Sequence, residues 1–169
     1  EILRRMNRRY TGEHYLSLID KMRAAVPDIS LTSDIIVGFP GETETDFADT
    51  LKLLRRVEYD MIFSFIYSPR KGTPAAEMPD QIPHEVSTER FERLLALQNA
   101  ISAKKNERFV GRVVRVLVEG ESKTNPDMLT GRGDPVRPIH FAGDKSLIGT
   151  FVPVRITQAT PFTLEGTLV

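Results

Sequence analysis

The chain has 169 residues, of which 23 are Lys or Arg and 23 are Asp or Glu, so it carries no net charge. This length suits one domain, or part of one, plus a small module, and the balanced charge does not by itself indicate a nucleic-acid partner. Cysteine is absent, which excludes disulfides and thiolate metal sites, so any iron–sulfur cluster must be ligated elsewhere. No apolar run reaches the length of a membrane span, and we expect a cytoplasmic protein with no membrane partner.

The first ten residues, EILRRMNRRY, have the apolar spacing of a helix and include four arginines. Because this pattern starts without Met, we expect the chain to be part of a longer protein. The arginines, Arg8 among them, could hold a phosphate or carboxylate, or could simply form a solvated helix end.

Helices alternate with apolar strands over the next hundred residues. The segment TGEHYLSLIDKMRAAVP predicts an amphipathic helix with an inward stripe of Tyr15, Leu18, Ile19, Met22 and Val26. The run DIIVGF predicts a strand buried on both faces. Thr43 and Asp46 predict the start of a second helix, whose inward residues are Phe47, Leu51 and Leu54. The run DMIFSFIYSP predicts another strand, and a long helix follows from about residue 84 to residue 108.

This alternation indicates parallel βα units, in an open sheet or in part of a barrel. Two βα units are too few to close a barrel. After Phe109 the pattern changes to short alternating strands separated by Gly and Pro turns, which is typical of a small closed barrel of the OB-like kind. The predicted fold class is therefore α/β over residues 1–108, followed by an all-β barrel over residues 109–169.

The turn Gly38-Phe39-Pro40-Gly41-Glu42 follows the first strand, at the end of a parallel sheet where α/β folds bind ligands. Glycine lets the backbone approach a ligand closely, and a helix start favours an anionic group. A tight turn with no ligand explains the same residues equally well.

Other polar residues surround the predicted strands. Asp34 opens an apolar strand, where it could hold a substrate group or cap the strand. Ser68 and Arg70 follow the second strand and could form a polar rim of the same pocket or a solvated loop. The three histidines lack metal-ligand spacing, so we predict no metal site on this chain.

Cations of the β module lie in or near its predicted turns, where small barrels commonly meet nucleic acid. The RNA-binding candidates are Lys123, Arg132, Arg137 and Lys145. Phe141 and Phe151 lie in apolar strand contexts, so we predict that both pack in the core, although either could stack on a base.

Three blocks, LRRMNRRYT, TSDIIVGFPGETETDF and FSFIYSPRKGTPAA, resemble successive segments of the methylthiotransferase branch of radical S-adenosylmethionine enzymes. The residues from Phe109 to Val169 resemble the TRAM domain attached to these enzymes. VEGESKTNPDMLTGR and HFAG are most similar to the branch that acts on N6-dimethylallyladenosine beside the tRNA anticodon. Gly133, Val136 and His140 depart from that branch's usual pattern.

The resemblance implies a partial βα barrel that binds S-adenosylmethionine and works with two [4Fe-4S] clusters, whose cysteines lie outside this chain. It implies radical insertion of a methylthio group at adenine C2, with a tRNA anticodon stem-loop as partner. By matching blocks, the cofactor wall would comprise Arg8, Asp34, Gly38, Pro40, Ser68 and Arg70. We expect the chain alone to be inactive and monomeric.

Other functions stay open at this point. Sister enzymes of the same family act on threonylcarbamoyl-adenosine of tRNA or on a ribosomal protein. A non-catalytic RNA-binding protein, or an ordinary barrel enzyme with a β appendage, would carry no cluster cysteines in any preceding segment.

Overall fold

The computed structural model describes residues 1–123, 125–134 and 136–169. The chain forms two compact units, Glu1–Gln98 and Asn99–Val169. Elements follow in the order α1 (Ile2–Arg5), α2 (Gly12–Ala25), β1 (Thr32–Val37), α3 (Glu44–Val57), β2 (Met61–Ile66), α4 (His84–Glu107), β3 (Val113–Glu121), β4 (Met128–Arg132), β5 (Ile139–Ala142), β6 (Phe151–Ala159) and β7 (Leu164–Leu168). Short 3-10 turns lie at Pro74–Glu77 and Lys145–Leu147.

The start of α3 confirms the predicted cap. The Asp46 N–H donates to Thr43 Oγ1 over 3.1 Å, and the Thr43 N–H donates to Asp46 Oδ2 over 2.9 Å. This capping box satisfies backbone donors that the helix itself leaves free. Further along the helix, Phe47, Leu51 and Leu54 are buried as predicted.

Helix α2 is less buried than its sequence pattern predicts. Only Ile19 of the predicted stripe is fully buried, whereas Leu18, Met22 and Val26 are exposed. Tyr15 reaches inward, and its hydroxyl lies 2.7 Å from the hydroxyl of Tyr59. The prediction was wrong for more than half of the stripe because helical spacing tells which residues share a face, but not how much of that face the neighbouring elements cover.

The strands β1 and β2 form a parallel pair, as predicted, with Thr32 opposite Met61 and Val37 opposite Ile66. Val37 is fully buried on one face. The prediction that the first strand is buried on both faces was wrong. The other face of the pair is exposed, because no described element of the same unit covers it. Its exposed members are Thr32, Asp34, Ile36, Phe63 and Phe65.

The second unit confirms the predicted barrel. Five strands close in the order β3-β4-β5-β7-β6, with β6 returning to pair with β3, and only the β5–β7 pair is parallel. This closed arrangement, consistent with an OB-like barrel, leaves no long unpaired strand edge. Inward residues of every strand form one apolar core, to which β3 and β6 contribute Val114, Val116, Val152, Val154 and Ile156.

Phe141 and Phe151 of the β module differ in burial. Phe141 is fully buried in the barrel core, which confirms the prediction for that residue. Phe151 is 55% exposed, so the prediction of core packing was wrong there. The cause is register: Val152 pairs with Val116 and points inward, so its neighbour Phe151 must point outward.

Candidate functional site

The turn after β1 contains two glycines in the left-handed region, Gly38 with φ 74° and Gly41 with φ 82°. The backbone N–H groups of both glycines are satisfied within the protein. The Gly38 N–H donates to Glu42 Oε1 over 3.1 Å, and the Gly41 N–H donates to the Asp80 carbonyl over 2.8 Å. Residues 37–40 are buried. The turn is therefore a packed element, held by hydrogen bonds within itself and to a distant loop.

Side chains from distant elements occupy the space beside both glycines. A Cβ at Gly38 would overlap the hydroxyl of Ser87 on α4, and a Cβ at Gly41 would overlap the guanidinium of Arg5. Arg5 also donates to the Pro40 carbonyl over 2.8 Å and to Asp80 Oδ2 over 3.0 Å. Protein side chains thus make the close approach that requires glycine here, as the alternative of a tight turn without a ligand predicts.

A buried ion pair fixes the end of the turn. Arg90 Nη1 of α4 lies 2.8 Å from Glu42 Oε1 and also donates to the Glu42 carbonyl over 3.0 Å. Both side chains are almost completely buried. Burial raises the pKa of the Glu42 carboxyl, and the hydrogen bond from the Gly38 N–H and the positive charge of Arg90 oppose that shift. Sequence reasoning missed this pair, because no local pattern links residues so far apart.

The predicted cofactor-wall residues divide into two groups. Gly38 and Pro40 lie inside the turn, whereas Arg8, Asp34, Ser68 and Arg70 are exposed. Ser68 and Arg70 follow β2 at the same end of the sheet as the turn, because the strands are parallel. The Tyr67 N–H donates to the Val37 carbonyl over 2.8 Å, which ties the two strand ends together.

Not every member of this set is brought close to the others. Asp34 lies within β1, opposite Phe63, and does not open the strand as expected. Arg8 lies between α1 and α2, and in the described part of the chain it has no ion pair. Its neighbour Arg5, not Arg8, contacts the turn.

The exposed face of the β1–β2 pair combines apolar side chains with a carboxylate. Apolar side chains of Ile36, Phe63 and Phe65 flank the carboxylate of Asp34 on one surface. At the strand end, the Tyr67 hydroxyl is buried and has no hydrogen-bond partner among the described residues. The exposed carboxylate and aromatic faces suit the hydroxyls and the base of an adenosyl group. An iron–sulfur cluster does not fit, because no thiolate exists on this chain.

The predicted RNA-binding residues differ in exposure and in their ion pairs. Lys123 is exposed, Arg132 pairs with Glu119 over 3.2 Å, and Lys145 pairs with Glu121 over 2.8 Å, all at the barrel surface. Arg137 departs from the expectation of an open turn. It is 7% exposed, and its guanidinium donates to Ser102 Oγ of α4 over 2.8 Å. That buried contact assigns Arg137 to packing within its own unit.

Among the described residues, no helix has both the length and the apolarity to cross a membrane. The same residues contain no group of three His, Asp or Glu side chains placed to hold a metal ion.

Family models match the beginning and the end of the chain, and related proteins match nearly all of it. A model of the Radical SAM superfamily matches residues 1–54, and a model of the TRAM domain matches residues 107–169. The tRNA-2-methylthio-N(6)-dimethylallyladenosine synthase of Geobacillus thermodenitrificans is 58% identical over 99% of this chain and 32% of its own length. Proteins of the same name from Moorella thermoacetica and Acetivibrio thermocellus are 55% and 54% identical over 99% of this chain.

The chain spans only about a third of the length of the curated relatives it matches, 38% in the Moorella protein and 35% in the Acetivibrio protein. The matched part is their C-terminal part. The alignments at more than 50% identity cover both the α/β unit and the barrel, in the order that the three sequence blocks and the β module led us to expect. The chain therefore combines a segment that matches the Radical SAM superfamily with a TRAM domain, and over nearly its whole length it is similar to the C-terminal part of synthases of that name.

Proposed function

We propose that this chain is the C-terminal part of an enzyme that adds a 2-methylthio group to N6-dimethylallyladenosine beside the tRNA anticodon. The observation that carries the proposal is the identity of 54–58% to synthases of that name over nearly the whole chain. The sister substrates, threonylcarbamoyl-adenosine and a ribosomal protein, appear in the names of none of the relatives given above.

The first unit is proposed to complete the catalytic barrel as the last part of a partial βα barrel. Two features support this role. The β1–β2 pair is parallel, and one of its faces is buried while the other stays exposed. Parallel strands are normally covered on both faces, so the exposed face suits the interior of a larger barrel. We place the boundary to the TRAM domain between residues 108 and 109.

S-adenosylmethionine is the proposed cofactor at this exposed face, and two [4Fe-4S] clusters would be ligated by residues outside the chain. When bound, the cofactor supplies the radical chemistry, and the protein supplies position and electrostatics. The carboxylate of Asp34 suits a ribose hydroxyl or an ammonium group, and the cations of Arg8 and Arg70 suit a carboxylate. Ser68 supplies a hydroxyl, while Gly38 and Pro40 shape the turn.

The second unit is proposed to bind the anticodon stem-loop of the tRNA. Small closed barrels bind single-stranded nucleic acid through basic side chains beside their strands and turns. Lys123, Arg132 and Lys145 lie on the barrel surface and could reach phosphates, the last two after leaving Glu119 and Glu121. Arg137 is better explained by its buried contact with Ser102.

A chimaera tests the proposal. The C-terminal third of the Geobacillus thermodenitrificans synthase would be replaced by this chain, and the protein would be reconstituted with iron and sulfide without oxygen. Mass spectrometry of nucleosides from tRNA that carries N6-dimethylallyladenosine should then show the 2-methylthio product. The same synthase truncated at the junction is the matched control and should be inactive.

A folded, iron-loaded chimaera that leaves N6-dimethylallyladenosine unmodified would contradict the proposal. Methylthiolation of threonylcarbamoyl-adenosine in the same digest would assign the chain to the sister enzyme instead.

A further inference from the structure

An exposed aromatic ring lies on the outer wall of the barrel, where β3 and β6 pair. Three residue pairs face outward there, Val113 with Arg155, Arg115 with Pro153 and Leu117 with Phe151. Residues between them, such as Val116 and Val152, point into the core. Phe151 leaves 55% of its surface in solvent, so its ring is accessible to a ligand.

A cation lies directly against this ring. The guanidinium carbon of Arg115 is 4.2 Å from the ring centroid of Phe151, well within cation–π distance. In the described part of the chain Arg115 has no ion pair, so its positive charge is not neutralised by a carboxylate. The contact holds both side chains on the outer wall, which reduces the entropy that a ligand would otherwise have to remove.

A second cation borders the same surface. Arg155 lies further along β6 on the same outward face and donates to the Gly111 carbonyl over 3.2 Å, which anchors its side chain beside the β3–β6 pair. None of the six outward residues carries a carboxylate. Arg132 and Lys145 differ, because each already has a carboxylate partner. This part of the barrel wall therefore combines apolar area with two positive charges that can meet an anion.

We propose that Phe151, with Arg115 and Arg155, forms a stacking platform for an unpaired nucleotide of RNA. A nucleobase would stack on the exposed ring, and the two guanidinium groups would meet the neighbouring phosphates. Stacking of this kind accepts any base but requires that the base be unpaired, so the platform recognises the single-stranded loop of a hairpin and not its stem. The inference rests on the proposed RNA-binding role of the second unit and names the surface that performs it.

The experiment compares two phenylalanines of the barrel in the full 169-residue chain. Phe151→Ala removes the platform, and Phe162→Ala is the matched control, because Phe162 is 60% exposed in the turn between β6 and β7. The probes are an RNA hairpin with an unpaired anticodon loop and a blunt duplex of the same stem. We expect Phe151→Ala to weaken hairpin binding by about tenfold, because one base–aromatic stack is lost. Binding of the duplex should stay unchanged. Phe162→Ala should leave both unchanged.

A fluorescent variant gives a second readout. The chain has no tryptophan, so Phe151→Trp introduces the sole indole at the platform. Hairpin binding should quench its fluorescence by stacking and should retain the parent's affinity, whereas Phe162→Trp should show little quenching.

The outcomes separate the two proposals. If the parent chain binds the hairpin and Phe151→Ala binds it equally well, the platform is overturned and RNA binding by the barrel stands. A parent chain that binds neither RNA overturns both. If Phe151→Ala weakens hairpin and duplex alike, the ring acts through structure and the platform is again overturned.

Discussion

Arg90 Nη1 lies 2.8 Å from Glu42 Oε1, and both side chains are at most 6% exposed. Removing the cation would leave a buried carboxylate without this partner, so Arg90→Ala should lower the free energy of unfolding by about 3–5 kcal/mol. Denaturant unfolding followed by circular dichroism measures the change. Arg93→Ala is the matched control, because Arg93 is 42% exposed and its ion pairs are screened by water.

Two results would bear on this interpretation. The double variant Glu42→Gln with Arg90→Met should recover much of the lost stability, because it buries no charge. Equal stability of Arg90→Ala and Arg93→Ala would show that the pair contributes nothing.

Gly38→Ala should destabilise the chain through two separate effects. The left-handed backbone costs about 1–2 kcal/mol for a residue with a Cβ, and overlap with Ser87 adds about 1–3 kcal/mol. Gly72→Ala is the control, since Gly72 has φ 82° and open space around it, so it suffers only the backbone effect. Adding Ser87→Gly to Gly38→Ala should recover part of the difference. Thermal unfolding that ranks the two single variants equally would contradict the packing role of Ser87.

The free energy of unfolding should decrease in alkaline solution because of the buried phenol of Tyr59. The residue is 1% exposed, and burial above all, with the hydrogen bond to Tyr15, raises its pKa well above the usual value. In the unfolded chain the phenol ionises near pH 10, so the stabilisation is complete below about pH 10 and declines above it by about 1.4 kcal/mol per pH unit.

Tyr59→Phe removes this dependence. The difference in free energy of unfolding between the parent and Tyr59→Phe should therefore change, to the parent's disadvantage, between about pH 9 and pH 11. A difference that stays constant over this interval would mean that Tyr59 ionises normally in the folded chain.

The isolated chain should bind no iron–sulfur cluster and should not modify tRNA, because it contains no cysteine. Iron and sulfide would be measured after anaerobic reconstitution and desalting. The complete Geobacillus thermodenitrificans synthase, treated in parallel, provides the positive control. A stoichiometric [4Fe-4S] cluster on the chain would overturn the placement of all cluster ligands outside it.

The barrel cations should make RNA binding salt-dependent. Alanine at Lys123, Arg132 and Lys145 together should weaken hairpin binding and reduce the slope of log affinity against log salt by about 0.7 for each single-strand phosphate that is no longer neutralised. A salt titration by fluorescence anisotropy measures the slope. The matched control substitutes three exposed lysines of the first unit, Lys21, Lys52 and Lys71. Equal slopes for the two triple variants would exclude these barrel residues from RNA binding.

Features that depend on near neighbours were predictable from the sequence. The capping box of α3 needs only Thr43 and Asp46, three residues apart, and the change from helical to alternating spacing after Phe109 indicates the barrel. The resemblance to a known family was also recognisable from the sequence, because it rests on short contiguous blocks. The cofactor wall and the RNA contacts stay predictions, because both depend on ligands. The boundary between residues 108 and 109 likewise stays a prediction.

Other features were decided only by tertiary structure. Arg90 and Glu42 are 48 residues apart, and Ser87 is similarly distant from the glycine whose space it fills. No periodic pattern connects such residues, so their contacts exist only once the helix α4 packs against the turn. Phe141 and Phe151 are the same residue type in similar apolar strands, yet one fills the core and the other faces solvent. Strand register decides between these fates, because a shift of one residue turns every side chain of a strand to the opposite face.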